Sequence, residues 1–471
     1  MKRILNIRAI KKVGEEVKLA GWIHQRRDHG QIIFADLRDR SGIIQLVFLP
    51  ENKILHKLAN TLRNEWVIEV IGKVNKRPGK MVNEKISTGE VEIEVKELKI
   101  FNEAKTPPFE IANSAKAKNV SEEIRLKYRY LDLRRQKMRK NLFLRHKVIK
   151  VIRNFMDKRG FMEIETPLLT KSTPEGARDF LVPSRLHPGK FYALPQAPQQ
   201  LKQLLMVAGI ERYFQIARCL RDEDLRGDRQ PEFTQFDVEM SFIKRANVTN
   251  LIERLILEIV KKLIIFDEGL SKKLTFKPFL KLDYHEAIKK YGTDKPDLRK
   301  DKNNPDELAF VWIINWPLFE WNSDEKRYDS RHHIFTSPID EDLPILEKEP
   351  LRVRSRQYDL VLNGNEIGGG SIRIHHRALQ EKIFKLVGLS KKEIEEKFGH
   401  LLRAFEYGAP PHGGLAVGLD RFLMVLLNEK NIREVIAFPK TGDGRDLVMD
   451  APNLVSPEQL RELGIRTEEQ S

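Results

Sequence analysis

The hydrophobic pattern changes character once along this 471-residue chain, near residue 104. Before that point the apolar runs are mostly short, β-branched and aromatic. They cover Val17 to Trp22, Ile32 to Leu37, Ile43 to Phe48, Trp66 to Val74 and Val91 to Ile100. Turn residues separate them: Asp28-His29-Gly30, Arg40-Ser41-Gly42, Arg77-Pro78-Gly79 and Thr88-Gly89. Runs punctuated this way predict strands rather than long helices. Five strands and one short helix near Lys53 to Arg63 predict a five-stranded OB-type barrel over residues 1–104. Residues 1–100 hold 20 Lys/Arg against 13 Asp/Glu, nearly half of the chain's net charge of +16. A solvated strand surface would explain the charge, but such barrels are common nucleic-acid binders.

Thr106-Pro107-Pro108 and the small, polar run Ala112 to Asn119 cannot build a core, so residues 105–127 read as a linker or hinge. The pattern then turns helical. Ser121 is placed to cap a first helix with Glu122 and Glu123 in its opening turn. A second is expected from about Arg139 to Arg159, stopping at Gly160, with Leu144, Val148, Val151, Ile152 and Phe155 on its apolar face. Strands and helices mix from there on, so residues 128–471 are expected to form an α+β domain. Two or three domains suit the length.

The net charge points to a polyanionic partner, nucleic acid or an acidic membrane surface. The most apolar stretch, Leu251 to Phe266, is broken by Glu253, Arg254, Glu258, Lys261 and Lys262, and reads as an amphipathic core helix rather than a membrane span. A lone cysteine, Cys219, excludes an intramolecular disulfide framework and any cysteine-cluster zinc site. With no apolar run behind Met1-Lys2-Arg3, a cytoplasmic protein is expected.

Three segments carry chemistry. Phe214 to Phe242 reads as two antiparallel strands joined by a long charged loop. Alternation puts Arg221 and Glu223 on one face, and Phe233, Gln235, Asp237 and Glu239 on one face of the return strand. Guanidinium, carboxylates and one ring together suit a nucleotide, although a salt-bridged hairpin would show the same pattern. Tyr358 to His375 contains Gly368-Gly369-Gly370, which favours close approach by a ligand or marks a bulge. Arg373 shares parity with Ser371 and His375, and Asp359 and Glu366 could converge on a cation across the turn. Gly408 to Arg421 leads small residues into a helix. It has neither a P-loop nor a strand-G-x-G-x-x-G fingerprint, so arginines would have to bind any ATP.

These segments resemble the three signature motifs of class II aminoacyl-tRNA synthetases. Motif 1 corresponds to Gly160 through Pro167, motif 2 to Arg221 through Glu239, and motif 3 to Gly418-Leu419-Asp420-Arg421. From end to end the chain is similar to bacterial-type aspartyl-tRNA synthetases, on strings such as Thr173 through Asp179, Gln199 through Met206, Arg221 through Arg226 and Asn363 through His375. The resemblance implies an OB-fold anticodon-binding domain and a catalytic domain built on an antiparallel sheet flanked by helices. It implies ATP-dependent activation of aspartate and its transfer to tRNA(Asp), with Mg²⁺ as cofactor. A homodimer through motif 1 and no membrane partner are also implied.

The roles implied are specific. Arg373 and Lys202 would clamp the aspartate side chain. Gln199 and Asp237 would accept from its ammonium, and His332 and Glu175 would close the pocket. Arg221 and Arg421 would be the catalytic cations, Arg221 bridging the α-carboxylate and the α-phosphate. Phe233 would stack on adenine, with Arg421 on its other face or at the γ-phosphate. Asp222, Glu223, Gln230, Glu366, Gly418, Leu419 and Asp420 would complete the ATP site, and Asp359 and Glu366 would hold Mg²⁺. On the barrel, Arg27, His29, Phe34 and Gln45 would read the anticodon.

Three departures stand out. A domain usually inserted after Tyr291 to Arg299 is missing, Ala197 replaces a usual serine, and His29 stands where many members have leucine. His29 resembles forms that charge both tRNA(Asp) and tRNA(Asn), so the tRNA(Asn) option stays open. An asparaginyl- or lysyl-tRNA synthetase, or an inactive RNA-binding paralogue, are the alternatives.

Overall fold

The computed structural model describes residues 1–112, 120–173 and 176–467. It divides into two compact units, Met1–Gln136 and Lys137–Ser471. Glu175, and most of the run Ala112 to Asn119, lie outside the described residues.

The first unit is a closed barrel in the order β1-β2-β3-β5-β4. Its strands are β1 (Glu16–His29), β2 (Ile32–Asp39), β3 (Gly42–Phe48), β4 (Val67–Lys76) and β5 (Val91–Asn102), with helix α1 (Lys53–Thr61) between β3 and β4. Alternation does the sorting: Ile33, Ala35 and Leu37 enter the core with Leu19, Ile44, Leu46 and Ile93, while Phe34 and Asp36 face outward. β1 runs seven residues past the predicted Trp22 and pairs with β2 to the end, through His29↔Ile32. Helices α2 (Glu122–Lys127) and α3 (Arg129–Asp132) complete this unit. Ser121 Oγ accepts from the Ile124 N–H as expected of a cap. Asp132, fully buried, gathers Arg125, Arg129 and Arg135.

The second unit opens with α4 (Gln136–Asp157), whose Leu144, Val148, Ile152 and Phe155 enter the main core. Its central sheet uses eight strands: β6 (Met162–Glu163), β9 (Arg212–Leu220), β10 (Glu232–Ser241), β12 (Leu280–Asp283), β14 (Phe310–Ile314), β17 (Gln357–Leu362), β18 (Asn365–Ile372) and β19 (His412–Gly418). Their order is β12-β14-β17-β18-β19-β10-β9-β6. The six inner strands are antiparallel as expected, but β12 and β6 join the edges in parallel, so the sheet is mixed. Helix α6 (Arg245–Phe266) packs Ile252, Leu255, Ile256, Ile259 and Leu263 into the core, confirming the amphipathic reading of Leu251 to Phe266. Helix α5 (Gln199–Val207) and helix α10 (Leu419–Leu426) border the cleft described next.

The triple glycine has a tertiary cause. A Cβ on Gly370 would lie 2.0 Å from the Gly414 carbonyl oxygen, and one on Gly369 would lie 2.6 Å from Asp359 Oδ1. The neighbours that exclude a side chain are adjacent strands and a site carboxylate of the chain itself. No helix among the described residues is long and apolar enough to cross a membrane.

Candidate active site

A cavity of about 340 Å³ opens over the middle of the large sheet, between β10 and β18. β10 contributes Phe233, Gln235 and Asp237 at alternate positions, with Glu239 beneath them. Room for Glu239 depends on Gly414, where a Cβ would lie 2.2 Å from Glu239 Oε2.

The cavity floor is a buried ionic quartet. Lys202, Asp237, Glu239 and Arg373 are each at most 1% exposed. Lys202 Nζ lies 2.5 Å from Asp237 Oδ1 and 3.3 Å from Glu239 Oε2. Arg373 donates from Nε to Glu239 Oε1 (3.0 Å) and from Nη2 to Oε2 (3.2 Å). Its Nη1 donates to Ser371 Oγ (2.7 Å) and His333 Nε2 (2.6 Å). Two cations face two carboxylates, so the floor is neutral, the condition that makes such burial tolerable. Burial pushes the Asp237 carboxyl upward against the pull of Lys202. Burial acts the same way on Glu239, but Arg373 and Lys202 outweigh it and hold that carboxyl low. Asp237 Oδ2 is buried without a hydrogen-bond partner, an acceptor aimed at a missing donor.

One side wall carries the nucleotide-type groups. The Arg221 guanidinium lies 5.2 Å from the Phe233 ring centre, and its Nε donates to the Gln196 carbonyl (3.3 Å). Arg421 donates from Nη1 to the Glu366 carbonyl (3.0 Å) and pairs with Asp228 at 3.1 Å. Its Nε is buried without a partner. Gln230 is buried and accepts from the Lys440 N–H at 2.7 Å.

The other wall is acidic. Asp359 is 2% exposed and accepts from Gln357 Nε2 at 2.7 Å. Burial, and next the Glu366 charge, push its carboxyl well above the usual range. Burial also opposes ionisation of Glu366, but Lys295 Nζ, 3.0 Å away, and next Arg421 together outweigh it and hold that carboxyl low. His332 places Nε2 3.5 Å from Asp359 Oδ2, and its ring meets Trp316 edge-on at 4.5 Å. Burial pushes this imidazole down to about 4. Two hard, mutually repelling carboxylates on one wall fit Mg²⁺. No group of three or more His, Cys, Asp or Glu among the described residues could hold a metal ion, so further ligands would have to come from water or substrate.

Most residues expected at the site meet here: Gln199, Lys202, Arg221, Glu223, Gln230, Phe233, Asp237, His332, Asp359, Glu366, Arg373, Gly418 and Arg421 all line the cavity. Four expectations need correction. β9 ends at Leu220, so Arg221 and Glu223 sit in the loop rather than on a strand face. Asp222 turns outward, 3.6 Å from Arg178, away from the cavity. Leu419 is fully buried in the core behind the wall. Asp420 borders the cavity, but its carboxylate accepts from the Thr234 N–H (2.6 Å) and pairs with Arg145, a structural tie. His333, Gln357, Asp228 and Lys295 were not foreseen, and nothing in their local sequence marks them. Glu239 was marked by its parity with Asp237, but no role was drawn from it.

On the barrel, the four expected residues share the outward surface. Arg27 pairs with Asp36 at 2.8 Å, Gln45 donates to Glu92 at 3.1 Å, and His29 meets the half-buried Phe34 ring edge-on at 5.9 Å.

Residues 121–442 match the class II tRNA synthetases (D, K and N), and residues 17–101 match the OB-fold nucleic acid binding domain. An aspartate–tRNA(Asp/Asn) ligase from Rubrobacter xylanophilus is 45% identical over 96% of this chain and 94% of its own length. One from Syntrophomonas wolfei is 44% identical over 97% of both. The first alignment runs over 576 positions against 471 residues here, so part of that relative has no counterpart in this chain. Among solved structures, the asparaginyl-tRNA synthetase of Pyrococcus horikoshii, complexed with asparaginyl-adenylate, superposes with a TM-score of 0.75. That match covers 94% of this chain and 98% of the other at 20% identity, which bears on the fold alone. The aspartyl-tRNA synthetase of Entamoeba histolytica gives 0.74, covering 93% and 91% at 22% identity. The chain therefore belongs to the class II aminoacyl-tRNA synthetases of the D, K and N group.

Proposed function

We propose that the chain is an aspartate–tRNA ligase that activates L-aspartate with ATP and transfers it to tRNA. The observation that carries this reading is the neutral quartet under an unpartnered Asp237 Oδ2. An incoming ammonium satisfies Asp237, and a side-chain carboxylate brought with it, held by Arg373 and Lys202, keeps the floor neutral. Asparagine would bring the ammonium without the carboxylate and leave one buried charge uncompensated, a strong basis for rejection. Lysine would bring two.

In this reading Gln199 also accepts from the ammonium, and His332 closes the pocket. Arg221 holds the α-carboxylate against the ATP α-phosphate, while Phe233 stacks on adenine with Gln230 and Arg421 beside it. The carboxylate oxygen attacks the α-phosphorus, pyrophosphate leaves, and aspartyl-adenylate forms. A terminal ribose hydroxyl of tRNA then attacks the acyl carbon and AMP leaves. Asp359 and Glu366 would hold Mg²⁺, which when bound supplies charge neutralisation for the phosphates.

The barrel, residues 1–104, serves as the anticodon-binding domain, residues 105–127 as the linker, and residues 128–471 as the catalytic domain. Phe34 stacks on an anticodon base, and Arg27 and Gln45 reach base edges. His29 beside Phe34, together with the Asp/Asn range in the relatives' names, supports charging of tRNA(Asn) as well as tRNA(Asp). Exposed Met162 in motif 1, with exposed Leu168 and Leu169 just after it, supports a homodimer. Translation places the enzyme in the cytoplasm.

ATP–pyrophosphate exchange tests the reading. Exchange should require aspartate; exchange with asparagine or lysine instead, or none at all, would overturn it. Charging of a tRNA(Asn) transcript at background, beside efficient charging of tRNA(Asp), would remove the dual range.

A further inference from the structure

The acidic wall holds a built-in cation that the reaction scheme above does not use. Lys295 Nζ sits 3.0 Å from Glu366 Oε2, the one ion pair of Glu366 among the described residues. The backbone that delivers it is tightly made. Thr293 Oγ1 accepts from the Lys295 N–H at 3.1 Å, and Arg299 clamps Asp297 from Nε and Nη2 at 3.0 and 2.7 Å. This turn packs on the β17–β18 hairpin at Gly364, whose φ of +79° suits glycine and where a Cβ would lie 3.4 Å from Asp297 Cβ. A fixed backbone thus presents a flexible four-carbon stem, about two-fifths exposed, to one carboxylate of a repelling pair.

Ammonium is a poor permanent partner there. It is monovalent and strongly hydrated, and it reaches Glu366 only, leaving Asp359 with Gln357 and a neutral imidazole. A divalent cation shared by both carboxylates would serve the pair better, and Lys295 and that cation would repel each other across a few ångströms. We infer that Lys295 is a tethered competitor for the divalent cation: it neutralises Glu366 while the site is empty and must swing away when metal binds. This keeps the carboxylate wall stable without metal and confines metal loading to conditions in which another anion, such as a triphosphate, can receive the displaced ammonium.

The inference rests on the assignment of Asp359 and Glu366 to the metal, so its test separates the two. Mn²⁺ binding to the full-length protein, without nucleotide, is followed by the loss of the free-ion EPR signal. Lys295→Met should bind Mn²⁺ roughly tenfold more tightly than wild type at low ionic strength, the size expected for removing one nearby, partly screened charge. Lys295→Arg should stay near wild type, and the gain in Lys295→Met should shrink as KCl is raised. In Glu366→Gln, which removes the partner of Lys295, adding Lys295→Met should give little further gain. Equal or weaker Mn²⁺ binding by Lys295→Met than by wild type would overturn the competition while leaving the metal assignment standing. Mn²⁺ binding untouched by Glu366→Gln would overturn the metal assignment, and the competition with it.

Discussion

The barrel surface and the cleft floor use the same kinds of residue under opposite physical conditions. On the barrel, Arg27 pairs with Asp36 while itself two-fifths exposed, so water can solvate the guanidinium at small cost when the pair opens, although Asp36 is more covered. On the floor, Arg373 and Glu239 are essentially inaccessible, and neither can lose its partner without stranding a charge. The difference separates two ways of recognising a charged ligand. A wet surface can trade contacts one at a time, which suits a large, variable polyanion such as RNA. A dry pocket must stay balanced throughout, so it accepts only a ligand whose own charges cancel where they are buried.

The sharpest way to break this contrast is to unbalance the floor. Arg373→Met should cost about 3–5 kcal/mol of folding stability, read by chemical denaturation, because Glu239 and Asp237 are left with Lys202 alone. Adding Glu239→Gln should return much of that stability without returning aspartate activation. Arg27→Ala on the barrel should move stability by less than about 1 kcal/mol. If the double variant were no more stable than Arg373→Met, charge balance would not be what governs the floor.

Arg221→Ala comes next. Arg221 stands at the cavity rim, held by one 3.3 Å contact and the Phe233 ring, so stability should barely change. The barrier to adenylate formation should rise by about 3–4 kcal/mol, seen in single-turnover kinetics. A large loss of melting temperature instead would make it a structural residue. Phe34→Ala should weaken tRNA binding by about 1–3 kcal/mol and leave ATP–pyrophosphate exchange unchanged, which a filter-binding assay beside the exchange assay would show.

A smaller effect at the cleft concerns pH. His332 has its folded-state value pushed down to about 4, below that of the unfolded chain. Between those values the unfolded chain binds more protons, so stability is full above the unfolded value and falls as pH drops through the window. Over the fall from about pH 7.5 to about pH 5.5, wild type should lose about 1 kcal/mol more than His332→Gln. A barrel histidine such as the exposed His29, replaced by glutamine, serves as the control.

Much of this was legible in the chain. The punctuated β-branched runs marked the barrel strands, but the outward place of Phe34 was expected from the family resemblance alone; strand alternation accounts for it once the register is known. Alternation also lined up Phe233, Gln235, Asp237 and Glu239, because side chains two apart on a strand must share a face. The strand-end rule failed at Arg221, where alternation was carried one step beyond the last paired residue, Leu220. Motif membership overreached at Asp222 and Leu419, because a motif string does not say which of its side chains point to the cavity.

What the residues alone determined, then, was local: period, capping, turns and the face each strand offers, all set by neighbours in the chain. Tertiary structure alone decided who compensates whom. Glu239 meets Arg373 across 134 positions, Lys295 in the 293–299 turn meets Glu366 on β18, and three glycines are small because neighbouring groups lie too close for a side chain. Those pairings have no sequence signature because the force that selects them, the cost of leaving a charge without a partner in a place water cannot reach, arises only once folding has removed the water.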